Sequence, residues 1–169
     1  MSAVEFLGGW REILLRLGVA TVVGCALGLN RELHAKPAGI RTHGLVCLGS
    51  ALITLTSFQI AFDGVRMDGS AVLRTVQGVI AGIGFLGGGV IMRDDSHQSV
   101  HGLTTAASIW VVACLGIACG AGQWPTALIA VGLTLIVLVV GGVLERAFRR
   151  RFGRPNSGAA GPGPGSPAA

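Results

Sequence analysis

The chain has 169 residues, of which 51% are hydrophobic and only 12% are charged, and its formal net charge is +5. A soluble globular domain carries roughly 25% charged residues, so this composition excludes an ordinary soluble domain and favours a protein surrounded by lipid. The excess of Lys and Arg raises nucleic-acid binding as an alternative, but five arginines follow the last apolar run directly, which is typical of a cytoplasmic flank and speaks against a nucleic-acid partner.

Five apolar runs are long enough to cross a bilayer as helices, which requires roughly 20 residues each. They comprise residues 13–29, 44–62, 75–92, 104–122 and 125–144. Each run is continuous rather than alternating, and a helix satisfies its own backbone hydrogen bonds in hydrocarbon. The predicted fold is therefore an all-α membrane protein, a bundle of about five transmembrane helices.

The predicted organisation follows from these runs. An extracytoplasmic N-terminus (1–12) precedes the membrane domain (13–144), which is followed by a basic cytoplasmic flank (145–152) and a disordered Gly/Pro tail (153–169). Arg16 lies within the first run, near its end, where an arginine can extend to the lipid headgroups. Lys and Arg total nine on the side that holds loop one (30–43), loop three (93–103) and the C-terminal flank, and four on the other side. The positive-inside rule therefore predicts that the N-terminus is outside and the C-terminus is cytoplasmic.

Loops one and three share a sequence pattern. Residues 30–32 read Asn-Arg-Glu and residues 43–45 read His-Gly-Leu, while residues 92–94 read Met-Arg-Asp and residues 101–103 read His-Gly-Leu. In both cases one helix ends in an arginine and a carboxylate, and the next helix begins with His-Gly-Leu. The pattern predicts that helices one–two and three–four form a parallel repeat of two hairpins about an axis along the membrane normal.

The glycines of the apolar runs are the second pattern. Residues 82–87 match G-x-G-x-x-G, but a dinucleotide site would need a preceding strand and an acidic residue about 20 positions on, and neither is present. Close helix packing is the better interpretation, because glycines four apart let another backbone approach. Such pairs are Gly24 with Gly28, Gly78 with Gly82, Gly84 with Gly88, and Gly116 with Gly120. We therefore expect the third helix to be central in the bundle, although the same faces also suit a homodimer.

Polar residues near the helix ends supply the candidate functional site. The arginine and carboxylate at each equivalent helix end either snorkel and pair locally, or line a cytoplasmic vestibule shared by the two hairpins. Hydroxyl side chains of the fourth run, Ser108 among them, are placed to line a polar track. The candidate residues are Asn30, Arg31, Glu32, Arg41, His43, Arg74, Gln77, Arg93, Asp94, Thr104 and Thr105.

The sequence offers no recognisable catalytic apparatus. It has no phosphate-binding G-x-x-x-x-G-K-[ST] motif and no nucleophile–base set. The four histidines of the two loops match no zinc signature, and the four cysteines form no CxxC pair. No carboxylate falls in the middle of an apolar run, where a magnesium ion would need one. We therefore predict a protein that is not an enzyme, with no cofactor and no metal site.

Three segments, residues 37–43, 74–91 and 100–110, resemble the MgtC/SapB membrane protein family. The resemblance implies a five-helix protein of the bacterial inner (plasma) membrane that is linked to magnesium limitation and stress adaptation. It also implies action on other membrane proteins, including the ATP synthase in the best-studied branch. We accordingly expect a role in magnesium or ion homeostasis through a membrane-protein partner in the lipid bilayer. The alternative is a small ion or solute transporter or channel with a cytoplasmic vestibule of paired charges.

Overall fold

A computed structural model of the chain describes residues 8–62, 65–94 and 99–152. Within these ranges the helices are α1 (Gly9–Leu33), α2 (Ile40–Ala61), α3 (Gly69–Val90), α4 (Leu103–Gly120) and α5 (Trp124–Phe152), and the strands are β1 (Met92–Asp94) and β2 (Ser99–His101). All five of these helices are long and apolar enough to span a membrane. The prediction of a five-helix membrane bundle is confirmed, whereas the predicted tail (153–169) and residues 1–7 of the predicted N-terminus lie outside the described residues.

The helices extend beyond the predicted apolar runs at their polar ends. α1 continues to Leu33, and α3 begins six residues earlier than its apolar run, after Asp68, whose side chain accepts hydrogen bonds from the backbone N–H groups of Ser70 and Ala71. α5 continues through the predicted basic flank to Phe152. Hydropathy marks only the part of a helix that lies in hydrocarbon, whereas capping groups set where the helix begins.

The connection between α3 and α4 contains a short antiparallel ribbon that the sequence did not predict. Arg93 of β1 pairs with Val100 of β2 at the centre of the three-residue register. Gly102 then leads the chain into α4 with a φ of 90°, and a Cβ at this position would collide with the carbonyl oxygen of Val90. The left-handed backbone and the close approach both require glycine here. Strands of three residues are too short to give a recognisable alternation, which is why the ribbon was missed.

The chain forms two compact units, Met1–Leu135 and Ile136–Ala169, and the second holds the remainder of α5. In the first unit α2 and α4 are the central helices, because each of them packs against three other helices: α2 against α1, α3 and α4, and α4 against α1, α2 and α3. The membrane-length segment of α4 is 50% buried and that of α2 is 39% buried, compared with 17% for α3. The expectation that the third helix is central was therefore wrong. Glycine spacing shows where another backbone can approach, but it does not show which of several such faces is used.

The glycines of α1 bring this helix into direct backbone contact with α2. A Cβ at Gly24 would lie 2.6 Å from the carbonyl oxygen of His43, and a Cβ at Gly28 would lie 2.6 Å from the Cα of Ile40. Such distances leave no room for any side chain larger than hydrogen. Gly24 and Gly28 therefore act within the chain as the small residues that permit the closest helix approach.

The glycines of α4 do the same against α2. A Cβ at Gly120 would lie 2.5 Å from the carbonyl oxygen of Ala51, and a Cβ at Gly116 would overlap the carbonyl oxygen of Cys47. In contrast, a Cβ at each of the four predicted packing glycines of α3 would meet nothing within 4 Å; these are Gly78, Gly82, Gly84 and Gly88. A packing role for those four against another chain stays a prediction.

The helix pairs in contact are those that a two-hairpin repeat would produce. His43 of α2 contacts Ser108 of α4, and Ala51, later in α2, contacts Gly120, later in α4. α2 and α4 therefore run parallel. α1 and α3 each pack against both of them. The second helices of the two hairpins therefore form the centre and the first helices flank them, as expected for an axis along the membrane normal. The two connections differ, because the one before α4 carries the ribbon.

Candidate functional site

Three helix ends meet at the predicted cytoplasmic end of the bundle. They are the C-terminal end of α1, the N-terminal end of α2 and the N-terminal end of α4. Four polar side chains are buried where these ends cross, namely Arg31, His43, Thr105 and Ser108. We refer to these four residues as the polar cluster. Because each residue comes from the first or last turns of its helix, the antiparallel packing of α1 against α2 and α4 is what brings them together.

Arg31 is placed in this cluster by the helical periodicity of α1. It lies on the same face as the buried residues Gly24, Leu27 and Gly28, at the i, i+3, i+4, i+7 positions that contact the neighbouring helices. Its side chain is only 4% exposed. One terminal nitrogen donates a hydrogen bond to the hydroxyl of Thr105, whereas the Nε atom is buried without a hydrogen-bond partner. Among the described side chains, no carboxylate pairs with this guanidinium.

His43 is completely buried and links α2 to α4. Its Nδ1 atom lies 3.1 Å from the carbonyl oxygen of Gly39, and its Nε2 atom lies 3.1 Å from the hydroxyl of Ser108. A carbonyl can only accept, so Nδ1 carries the proton, and in the neutral ring Nε2 accepts from the serine hydroxyl. That hydroxyl is also 2.8 Å from the carbonyl oxygen of Thr105. Its single proton therefore has two acceptors, and the cluster is a continuous hydrogen-bonded network.

Glu32 takes a different role from its neighbour. Its carboxylate accepts a hydrogen bond of 3.1 Å from the backbone N–H of Ile40, which is the first residue of α2. It thereby satisfies one of the free N–H groups at the start of that helix and places a negative charge at the positive end of its dipole. Neither snorkelling nor local pairing of Arg31 with Glu32 describes this arrangement, because the arginine turns inward and the glutamate caps α2.

The remaining candidate residues are not part of the cluster. Arg41 and Thr104 are exposed at the same end of the bundle, and the backbone carbonyl of Asn30 lies 2.7 Å from Nδ1 of His34. Arg74 and Gln77 are exposed on the first turns of α3, about 20 Å along the helix from its C-terminal end at the cluster side. Arg93 and Asp94 belong to β1, and their side chains lie outside the described ones. The vestibule of paired charges therefore stays a prediction.

A second arginine of α1 binds the opposite end of α4. Arg16 is 2.9 Å from the carboxylate of Glu12 through Nε, and it donates a 3.0 Å hydrogen bond to the carbonyl oxygen of Gly120. A cation at the last carbonyls of a helix is favourable for its dipole. Arg16 was expected to extend to the lipid headgroups, but it caps α4 instead. α1 is thus tied to both ends of α4 by an arginine.

The cluster combines a cation, an imidazole and two hydroxyls in an environment closed to solvent. His43 and Ser108 resemble a base and a hydroxyl, but the other ring nitrogen of His43 contacts a backbone carbonyl, where a catalytic triad would have a carboxylate. We therefore assign no catalytic role to this pair. Within residues 8–62, 65–94 and 99–152, no three His, Cys, Asp or Glu side chains lie close enough together to hold a metal ion.

Sequence reasoning identified Arg31, His43 and Thr105 individually but did not place them together. Ser108 was expected only as part of a polar track, and Gly39 was not singled out. The sequence did indicate that Thr105 and Ser108 lie on one face of α4, because residues three apart share a helix face. Ile109 and Val112 continue that face into the core. No signal in the sequence identified which helix this face would meet.

Comparison with known proteins places this chain among bacterial membrane proteins. The sequence model described as the MgtC family matches residues 17–147. The protein SrpB of Synechococcus elongatus is 43% identical over 137 residues, covering 78% of this chain and 75% of SrpB. The protein SapB of Bacillus subtilis is 40% identical over 130 residues, which are 74% of this chain and 54% of SapB. YhiD of Escherichia coli, whose name describes a candidate magnesium transporter, is 37% identical over 134 residues, which are 76% of this chain and 60% of YhiD. No solved structure matches the chain.

Proposed function

The chain belongs to the MgtC family, and from this premise we propose that it serves magnesium or ion homeostasis by binding another membrane protein through the exposed face of α3. The relative YhiD bears the name of a magnesium transporter, which supports the link to magnesium. The chain spans between about half and three-quarters of the length of the relatives compared above. The proposal therefore concerns what these five helices do, and it assigns no enzymatic activity.

The exposed glycines of α3 are the observation that carries the proposal. A Cβ at Gly78, Gly82, Gly84 or Gly88 would find open space. Each glycine in a helix interior costs roughly 1 kcal/mol relative to alanine, and no close packing against the described residues of this chain offsets that cost at these four positions. Small residues on a membrane helix allow another helix to approach until backbone contacts form. A partner helix packed against these glycines would offset their free-energy cost through such backbone contacts.

The shape of the surface agrees with this role. A groove of about 630 Å³ runs between α2 and α3, and its floor is formed by the small residues Gly49, Gly78 and Gly82. Apolar side chains form its walls, among them Val46 and Leu86. A groove with a glycine floor and apolar walls matches the ridge of a second transmembrane helix. By contrast, the polar cluster is buried, with His43 at 0% exposure, so among the described residues it does not form an open polar path into the bundle.

A groove-filling variant tests the proposal. The double substitution Gly78→Leu with Gly82→Leu places two side chains in the groove, at positions where an added Cβ meets nothing within 4 Å. Gly132→Leu is the matched control, because Gly132 of α5 also has open space around its Cβ position. Affinity-tagged protein is purified in mild detergent from a deletion strain, and growth of the same strain is measured across magnesium concentrations. We expect the double variant to lose both the co-purified membrane protein and the complementation of growth, while the control keeps both.

Two results would contradict the proposal. One is recovery of the same partner with the groove filled. The other is magnesium flux into proteoliposomes that contain the purified chain alone, which would favour the transporter alternative, since a regulator without its partner should conduct nothing.

The location in the membrane is part of the same proposal. We place the chain in the inner membrane with its N-terminus outside, because the arginine-rich connections lie on one side. Alkaline phosphatase fused within the connection between α2 and α3 should be active, whereas a fusion within the connection between α1 and α2 should be inactive. The reverse pattern would invert the proposed orientation.

A further inference from the structure

The N-terminal end of α4 has free hydrogen-bond donors and faces an unpaired cation. Its N-cap residue is Gly102, which offers no capping side chain, and the first-turn bonding begins with the N–H of Ala106 donating to the carbonyl of Gly102. The N–H groups of the preceding residues of this turn therefore lack intrahelical acceptors. The aligned peptide dipoles add roughly half a positive charge at this point.

Arg31 adds a full positive charge at the same place. It is 4% exposed, it donates to the hydroxyl of Thr105 in the first turn of α4, and its Nε atom is buried without a partner. An unpaired charge inside a membrane protein is costly, and such charges are found paired or facing a hydrated site. The unused donor and the charge that no described carboxylate pairs with would both be satisfied by an anionic group next to the guanidinium.

The described part of the chain does not supply that group. Glu32 is the carboxylate nearest in sequence, but it already accepts from the first N–H of α2. Lys36 follows α1 and is exposed, and Arg41 is exposed in the first turn of α2, at the same end of the bundle. The site therefore carries an excess of positive charge on the side of the bundle that the arginine count places in the cytoplasm.

We propose that Arg31 and the first turn of α4 bind a phosphate-type oxyanion. A guanidinium presents its donors in a planar fork that fits two oxygens of one phosphate, and Arg31 has its Nε donor unused. The free N–H groups of α4 suit a further oxygen, as helix N-termini do in other phosphate sites. Thr105 holds the guanidinium in place, and its neighbour Thr104 is exposed. Inorganic phosphate and the headgroup phosphate of an anionic phospholipid present the same chemistry.

The experiment measures both sources of phosphate on the full chain. Inorganic phosphate is titrated against the purified protein in detergent by thermal unfolding, with chloride at matched ionic strength as the reference. Retention of phosphatidylglycerol, compared with phosphatidylcholine, is measured by native mass spectrometry. Arg31→Gln removes the charge but keeps a polar side chain, and Arg41→Gln, the control, removes an exposed arginine in the first turn of α2. We expect Arg31→Gln to weaken binding by about ten-fold or more, since it removes charge-assisted hydrogen bonds, and Arg41→Gln to leave it within about two-fold.

The phosphate titration and the lipid-retention measurement together identify the source of the bound phosphate group. Binding of inorganic phosphate that depends on Arg31 assigns the site to a free anion, and Arg31-dependent retention of phosphatidylglycerol alone assigns it to a lipid headgroup. Thr105→Val removes the hydroxyl that holds the guanidinium but keeps the charge of Arg31. It should weaken binding of the same probe, and it serves as the test if Arg31→Gln fails to fold. The inference is overturned if wild-type protein binds neither probe, or if the folded variants bind as the wild type does. It does not depend on the α3 face, because Arg31 lies in the α1–α4 crossing.

Discussion

Gly116 packs directly against the backbone carbonyl of Cys47, so that α4 and α2 cross at this point without any side chain between them. The same Cβ position would lie 2.8 Å from the Cβ of Ser50, which closes the remaining space. This crossing lies in the middle of the bundle and joins the second helices of the two hairpins. It fixes how far apart α2 and α4 lie and therefore how the polar cluster is held together.

The first prediction concerns this crossing. Gly116→Ala should lower the free energy of unfolding by about 1–3 kcal/mol, because an added methyl group in a filled interior forces the helices apart. Gly132→Ala is the matched control, since a Cβ there meets nothing within 4 Å, and it should leave stability unchanged or raise it slightly. Thermal unfolding in a single detergent compares the two. Equal stability of the two variants would show that Gly116 does not pack against the backbone carbonyl of Cys47.

The second prediction concerns the cap at the other end of α4. Arg16 donates to the carbonyl oxygen of Gly120 and pairs with Glu12. Arg16→Gln should lower the free energy of unfolding by about 1–3 kcal/mol, because hydrogen bonds to charged groups contribute that much when partly buried. Arg11→Gln, at an exposed position on the same helix, should change it by less than about 0.5 kcal/mol. If both variants lose the same stability in thermal unfolding, the effect comes from charge near the membrane surface and not from the cap.

The third prediction concerns the link between His43 and Ser108. Ser108→Ala removes the only side-chain partner of Nε2 among the described residues and leaves a fully buried nitrogen unsatisfied, at a cost of about 1–3 kcal/mol. Ser57→Ala is the control, because the Ser57 hydroxyl bonds only to the carbonyl of Thr54 in its own helix. The double variant His43→Leu with Ser108→Ala should lose less than the sum of its single variants. Additive losses in this double-mutant cycle would mean that the two side chains do not interact.

The fourth prediction concerns the start of α3, outside the membrane. Hydrogen bonds from the hydroxyl and backbone N–H of Ser70 hold the pKa of the Asp68 carboxyl below its ordinary value of 3.8. A carboxyl with a lowered folded-state pKa contributes stability that is complete above the ordinary value and is lost as pH falls through the lowered one. The midpoint of an NMR titration of Asp68 should therefore lie below 3.8. Ser70→Ala, which removes the hydroxyl bond, should move this midpoint upward; an unchanged midpoint would contradict the cap.

The candidate site was only partly predictable. Arg31 was recognised as a costly charge at a helix end, but two interpretations were left open, since such an arginine can either snorkel and pair locally or line a cytoplasmic vestibule shared by the two hairpins. The spacing from Gly24 and Gly28 to Arg31 already placed this arginine on the closely packed face of α1. This spacing could not identify the helix that packs opposite Arg31, because Thr105 lies three helices further along the chain, in α4. The same reasoning applies to Arg16, whose partner Gly120 also lies in α4 and is even more distant in sequence.

The amino-acid sequence by itself determined the five membrane-spanning helices, because the length of an apolar run must match the thickness of the hydrocarbon layer whatever surrounds it. It also identified glycine faces that permit close contact. Only the tertiary structure decided which of those faces meet inside the chain, and it used Gly24, Gly28, Gly116 and Gly120 while leaving the four predicted packing glycines of α3 exposed. Hydrophobicity does not discriminate between helices that are all surrounded by lipid, so their arrangement depends on the fit of whole surfaces and on buried polar contacts such as that of Arg31 with Thr105.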